Sequence, residues 1–188
     1  MTMHSTHLHR RNFLLHLQER AGYDQPVLLK EPAHEQPAHL HVDQLHNEFA
    51  ITTQLARVSG VRPAYAMEGT QSQPVLLLEY IQGQSLAELI HSTSLDLAEK
   101  LRLALNMALV LHRIHDQQVM HKDISSGNIL VADKDQPGSQ DGVYIIDFGM
   151  ASTMRQESVS HLARDDALVG TRAYISPEQT GRMNRRVD

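Results

Sequence analysis

Apolar and polar positions partly alternate along "FLLHLQE" (13–19), a pattern that predicts a strand. "AGYD" is a turn, and "QPVLLKE" (25–31) predicts a second strand, so the two make a hairpin. "EPAHEQPAHLH" carries two prolines and is expected to be a loop. In "VDQLHNEFAITTQLARVSG", Leu45, Phe49, Thr52 and Leu55 recur at helical spacing, with Gly60 as the expected stop. "RPAYAMEG" and "PVLLLEY" flank "TQSQ" and predict another hairpin, its "VLLL" run a buried strand.

The second half changes period. Ser85 with Glu88 predicts a capping box on a short helix. Asp96 with Glu99 predicts the same for "DLAEKLRLALNMALVLHRIHD" (96–116), the longest helix. Its leucines cover more than one face, which calls for a central, buried position. "NILVAD" and "VYIID" are two short strands around a turn-rich segment. The expected class is α+β with two lobes, strand-rich over 1–82 and helix-rich over 83–188, divided near "IQGQS".

Composition narrows the setting. The 188 residues suffice for one domain with a real core, and an apolar share of 41% excludes general disorder. A net charge of −5 lacks the basic stripe that nucleic-acid binding requires. Without cysteine there is no disulfide framework and no thiolate chemistry. No apolar run reaches spanning length and the N-terminus has no signal-peptide core, so a cytoplasmic protein is expected.

Candidate chemistry lies at the ends of the two short strands. If they pair, Asp123, Asn128 and Asp147 converge at one edge and supply oxygen donors. Hard divalent cations such as Mg²⁺ take oxygen donors and share them with substrate phosphates. A nearby Asp can also orient a substrate hydroxyl or accept its proton.

These residues resemble the eukaryotic-type serine/threonine protein kinase domain. The family's H-R-D-x-x-x-x-N, D-F-G and A-P-E motifs correspond to His121-Lys122-Asp123 with Asn128, Asp147-Phe148-Gly149 and Ser176-Pro177-Glu178, in that order. "VLLK" stands where the family has V-A-I-K, and "LLLEYIQGQSL" is similar to the adenine-binding hinge. "GTRAYISPE" matches G-T-x-x-Y-x-x-P-E at Gly170, Thr171, Tyr174, Pro177 and Glu178. "SPEQTGRMNRRVD" resembles kinase domains that stand ahead of an AAA-type ATPase module and a sensor histidine kinase in bacterial signalling proteins. The resemblance runs over roughly residues 8 to 188.

The resemblance implies a bilobal fold and Mg²⁺-dependent transfer of the ATP γ-phosphoryl group to a protein hydroxyl. It makes Asp123 the base or hydroxyl-orienting residue, and Asn128 and Asp147 the Mg²⁺ ligands. Lys30 would hold the phosphates, Glu48 would fix Lys30, and adenine would lie on Glu79 to Ile81. His121 would be structural. It also implies a C-terminally incomplete domain, because the family fold continues into further helices past P-E. One of these packs on helix 96–116, whose apolar girdle is then expected to be partly uncovered, and another supplies an arginine partner for Glu178.

Several positions depart from the pattern. The place of the glycine-rich loop, "HLHRRNFLL", has no glycine, and Arg10 and Arg11 are the cations available there. Leu28 replaces a small residue above adenine, Lys122 an arginine, and Ser125 the lysine that commonly touches the γ-phosphate. These changes favour a second reading, a regulatory nucleotide-binding pseudokinase. A third, a small-molecule phosphotransferase of the aminoglycoside or choline type, shares the H-x-D-x-x-x-x-N loop but lacks the G-T-x-x-Y-x-x-P-E segment. Simpler readings make Lys30 and Glu48 solvated surface residues. They likewise make the clusters at His4, His7 and His9 and at His34, His39, His41 and His46 surface histidines on edge or loop segments, not metal ligands. Ser152, Thr153, Ser158 and Ser160 are candidate phosphorylation sites or plain loop hydroxyls.

Overall fold

The computed structural model describes residues 8–10, 12–34, 36–133 and 142–153. The first part is a five-stranded antiparallel sheet of β1 (Leu8–Arg10), β2 (Phe13–Gln18), β3 (Val27–Pro32), β4 (Ala64–Gly69) and β5 (Pro74–Glu79), ordered β1-β2-β3-β5-β4. Both expected hairpins form. β1 is an addition: Arg10 pairs with Phe13, in the segment where the family's glycine loop would lie.

Helix α1 (His39–Gln54) crosses this sheet and buries Leu45, Glu48, Ile51 and Thr52. It starts within the segment expected to be a loop, so His39, His41 and His46 lie on a helix. It also ends earlier than the glycine signal suggests. Leu55 closes it, and Gly60 lies in the turns that follow. Leu45 joins Phe13, Leu28, Leu76 and Leu78 in the core beneath the sheet. The far face of the sheet buries Val27, Leu29 and Leu77.

The second part begins with β6 (Gly83–Ser85) and α2 (Leu86–Ser92), followed by α3 (Leu97–Asp116). Both capping boxes are present, Ser85 with Glu88 and Asp96 with Glu99. β7 (Val119–Met120), β8 (Ile129–Ala132), β9 (Val143–Ile145) and β10 (Ser152–Thr153) follow. The expected β8–β9 pair is antiparallel, with β6 added on the other edge of β8, while β10 pairs with β7. Strands of two to four residues such as β6, β7 and β10 carry too few positions for a period-2 signal.

The two parts share a core of Ile51, Leu55, Val61, Val110, Ile114, Val119, Ile145, Phe148 and Ala151. α1 and α3 therefore meet on the same apolar cluster. The expectation of a centrally buried α3 is not met, since only Val110 and Ile114 are buried. Its uncovered apolar face is present: Leu97, Leu101, Leu105 and Leu109 are 71%, 62%, 59% and 37% exposed and recur every fourth residue.

Gly60 sits where these parts join. Its φ is +89°, its carbonyl accepts from Ile145 N–H at 2.8 Å, and an added Cβ would lie 2.4 Å from Val110 Cγ2. Gly60→Ala therefore combines backbone strain with a clash in the shared core. It should lower stability by about 1–3 kcal/mol in urea or thermal unfolding. An unchanged midpoint would contradict this packing.

Candidate active site

Strand β3 turns Lys30 toward α1, on the same face as Leu28. Lys30 is only 4% exposed, and its ammonium donates to Glu48 Oε2 at 2.6 Å and to Asp147 Oδ1 at 2.9 Å. Burial lowers its pKa, but the charges of Asp147 and Glu48 and their hydrogen bonds outweigh burial, and the net shift is upward. Lys30 is therefore a fixed cation. Its Nζ also lies 4.7 Å from the centroid of Phe13, a favourable cation–π distance. The surface readings of Lys30 and Glu48 are excluded, because Glu48 is 3% exposed.

One ammonium thus faces two carboxylates. Burial pushes the Glu48 pKa up, and Asp147 adds to this, while Lys30 pulls it down. The nearby Arg62 charge also opposes that rise, and the net shift is upward.

The loop between β7 and β8 brings Asp123 and Asn128 together. Asn128 Nδ2 donates to Asp123 O at 2.7 Å and to Asp123 Oδ2 at 3.0 Å, and both residues are buried. A 3-10 turn, Ser126–Asn128, makes this closure through an Asn128 N–H to Ser125 O bond of 2.9 Å. Ser125, standing where a cation was expected, is buried at 5% exposure. Lys122 adopts a left-handed φ of 64° in the same loop.

The β8–β9 ladder then carries Asp147 to the same edge. Ile146 N–H donates to Asn128 O at 3.0 Å, and Asp147 follows directly. Its φ of 70° is left-handed, which turns the chain into the 3-10 turn Phe148–Met150. His121 underlies the loop: its Nδ1 accepts from Asp123 N–H at 3.2 Å and its Nε2 lies 3.1 Å from Ile146 O. Those partners require the proton on Nε2. Burial lowers the His121 pKa, outweighing the Ile146 bond and the two nearby carboxylates, so the ring is neutral. Its structural assignment fits this geometry.

The hinge candidates lie at the end of β5 and in the residues that follow it. Glu79 N–H donates to Pro63 O at 3.0 Å, and partial burial raises its carboxyl pKa against the pull of Arg62. The Ile81 side chain packs with Leu130, Tyr144 and Ile146. Its backbone N–H and carbonyl join no backbone–backbone hydrogen bond among the described residues. Leu28 pairs with Leu78 across β3 and β5 and is buried.

The order of motifs, their sheet and helix positions, and the Lys30–Glu48–Asp147 contact agree with a match to the family model described as protein kinase domain, over residues 19–187. The chain belongs to the protein kinase domain family.

This kinase domain is 34% identical over 142 residues to the serine/threonine-protein kinase AfsK of Streptomyces coelicolor, covering 73% of the chain and 16% of that protein. It is 31% identical over 109 residues to a probable serine/threonine-protein kinase of the same organism, covering 57% of the chain and 15% of the relative. A probable leucine-rich repeat receptor-like protein kinase of Arabidopsis thaliana is 29% identical over 163 residues, covering 84% of the chain and 14% of the relative. The chain thus spans less than a fifth of the length of these relatives.

Asp123, Asn128 and Asp147 offer the hard oxygen donors that fit Mg²⁺. No group of three or more His, Cys, Asp or Glu among the described residues is arranged to hold a metal by itself. A cation here would complete its shell with phosphate and water oxygens, as Mg²⁺ commonly does. Residues 1–7, Arg11, the segment 154–188 and the side chains of residues 8–10 lie outside the described residues. So therefore do the Arg10–Arg11 cations, His4, His7 and His9, Ser158 and Ser160, and the Gly170–Glu178 pattern. Ser152 is buried in β10, which excludes it as an accessible phosphorylation site in this conformation. Sequence reasoning missed Phe13, Gln44 and Asn47. Asn47 stands one residue before Glu48, which was its only signal.

The neutral His121 has a pH consequence. Its folded pKa lies below the unfolded value of about 6.5, so the unfolded state binds more protons between the two. The stability it contributes is complete above about pH 6.5 and is lost as pH falls through the folded value. The stability advantage over His121→Gln should shrink across that window in urea titrations. Parallel pH profiles would contradict a neutral buried imidazole.

Proposed function

We propose that this domain is a protein serine/threonine kinase that transfers the γ-phosphoryl group of ATP to a protein hydroxyl. The observation that carries the reading is the convergence of two units: Lys30 bonded to Glu48 and Asp147, and Asp123 bonded to Asn128, joined through the Ile146–Asn128 backbone bond. Phosphoryl transfer needs little covalent chemistry from the protein. It needs the phosphates held in line and their charge neutralised.

In this reading Lys30 binds the α- and β-phosphates, and Glu48 keeps its ammonium aimed. Asp123 orients the acceptor hydroxyl and receives its proton, while Asn128 holds the Asp123 carboxylate in place. Asn128 and Asp147 would hold Mg²⁺, which when bound neutralises phosphate oxygens. The hinge from Glu79 to Ile81 supplies backbone groups to adenine, and the lobes divide between residues 82 and 83. No described helix is long and apolar enough to cross a membrane. A cytoplasmic signalling protein whose further modules are an AAA-type ATPase and a sensor histidine kinase completes the proposal, on the resemblance of "SPEQTGRMNRRVD". Family membership favours a protein acceptor over a small-molecule one.

A pseudokinase is the second reading. The lack of glycine in "HLHRRNFLL" favours it, because glycine is the residue that lets backbone amides approach phosphate closely. One experiment separates the two. Mg-ATP binding and transfer to a generic protein substrate are measured in the full protein carrying this chain. Asp123→Asn should reduce transfer about 10²–10⁴-fold with ATP affinity retained. Asp147→Asn should weaken both, and Lys30→Met should weaken ATP binding most. ATP binding without transfer in the unsubstituted protein would establish the pseudokinase.

A further inference from the structure

One face of α1, formed by Gln44, Asn47, Glu48 and Ile51, follows the i, i+3, i+4, i+7 spacing of a single helical stripe. That stripe meets the turn after Asp147. Asn47 Nδ2 lies 2.8 Å from Ala151 O, 3.1 Å from Gly149 O and 3.3 Å from Phe148 O. An amide nitrogen has two hydrogens, so three carbonyls share them. Gln44 Nε2 approaches Met150 Sδ at 2.8 Å. The helix also sits close to Gly149: a Cβ there would be 3.2 Å from Gln44 Cβ and 3.3 Å from Gln44 O.

The turn needs such a hold. Asp147 is in the left-handed region, which is strained for a residue with a Cβ. The following turn is closed by an Ala151 N–H to Phe148 O bond of 3.0 Å. Converging carbonyls repel one another unless a donor lies between them, and Asn47 is that donor.

The geometry points to Asn47 as a positioning residue that locks the Asp147–Ala151 turn to α1 and thereby fixes the direction of the Asp147 carboxylate. Two neighbouring residues of one helix then grip Asp147 from both sides. Glu48 acts through Lys30 on its carboxylate, and Asn47 acts on the carbonyls that follow it. The kinetic consequence rests on the kinase reading; the structural one does not.

The test uses Asn47→Ala, and Asn47→Asp, which keeps the shape and removes the donors. Hydrogen exchange is followed in the full chain over residues 147–153, with β3 and β5 as internal controls. The turn should exchange about tenfold faster in both variants while the controls stay unchanged. Unchanged exchange in the turn would overturn the assignment, as would equal loss throughout the chain. In transfer assays Asn47→Ala should raise the Mg²⁺ concentration for half-maximal rate about fivefold or more and lower kcat, with KM for protein substrate unchanged. An unaltered Mg²⁺ profile would also overturn it. Failure of the unsubstituted protein to transfer phosphate would remove the kinase reading, and hydrogen exchange would still decide the role of Asn47.

Discussion

The described structure depends on one buried ammonium. Lys30 is nearly inaccessible to water and satisfied by two carboxylates from distant parts of the chain, Glu48 on α1 and Asp147 after β9. A buried lysine without such partners would lose its proton or destabilise the fold by several kcal/mol. The pairing therefore fixes more than a charge. It sets the rotation of α1 against the sheet and ties the first part of the chain to the second, across 117 residues of sequence.

The apolar core works in the same direction. Ile51 and Leu55 of α1, Val110 and Ile114 of α3, and Phe148 of the turn share one cluster. The ionic contact and the hydrophobic one lie on opposite sides of the same short segment, 147–151. A displacement of α1 would cost both contacts.

Much of this was legible in the sequence. The two hairpins, the capping boxes at Ser85 and Asp96 and the β8–β9 pair follow from period and cap chemistry. Lys30, Glu48, Asp123, Asn128 and Asp147 were identifiable because their spacing is characteristic of the family, and the structure brings them into two bonded groups. β6, β7 and β10 were not legible, being too short for any period. α3 was misread as central because its leucines were counted without knowing which face has a neighbour. Asn47 carried no signal beyond its place beside Glu48 for another reason: its partners are backbone carbonyls, which leave no trace in side-chain identity.

The central claim is that Lys30 is held as a permanent cation by Glu48 and Asp147 together. Its most direct test is a pH titration of the Lys30 side-chain nitrogen by ¹⁵N NMR, in the unsubstituted chain and in Asp147→Asn. The account predicts an ammonium that persists above the ordinary lysine pKa of about 10.4 in the unsubstituted chain and titrates lower once Asp147 is neutral. A Lys30 that loses its proton below that value with both carboxylates present would contradict it.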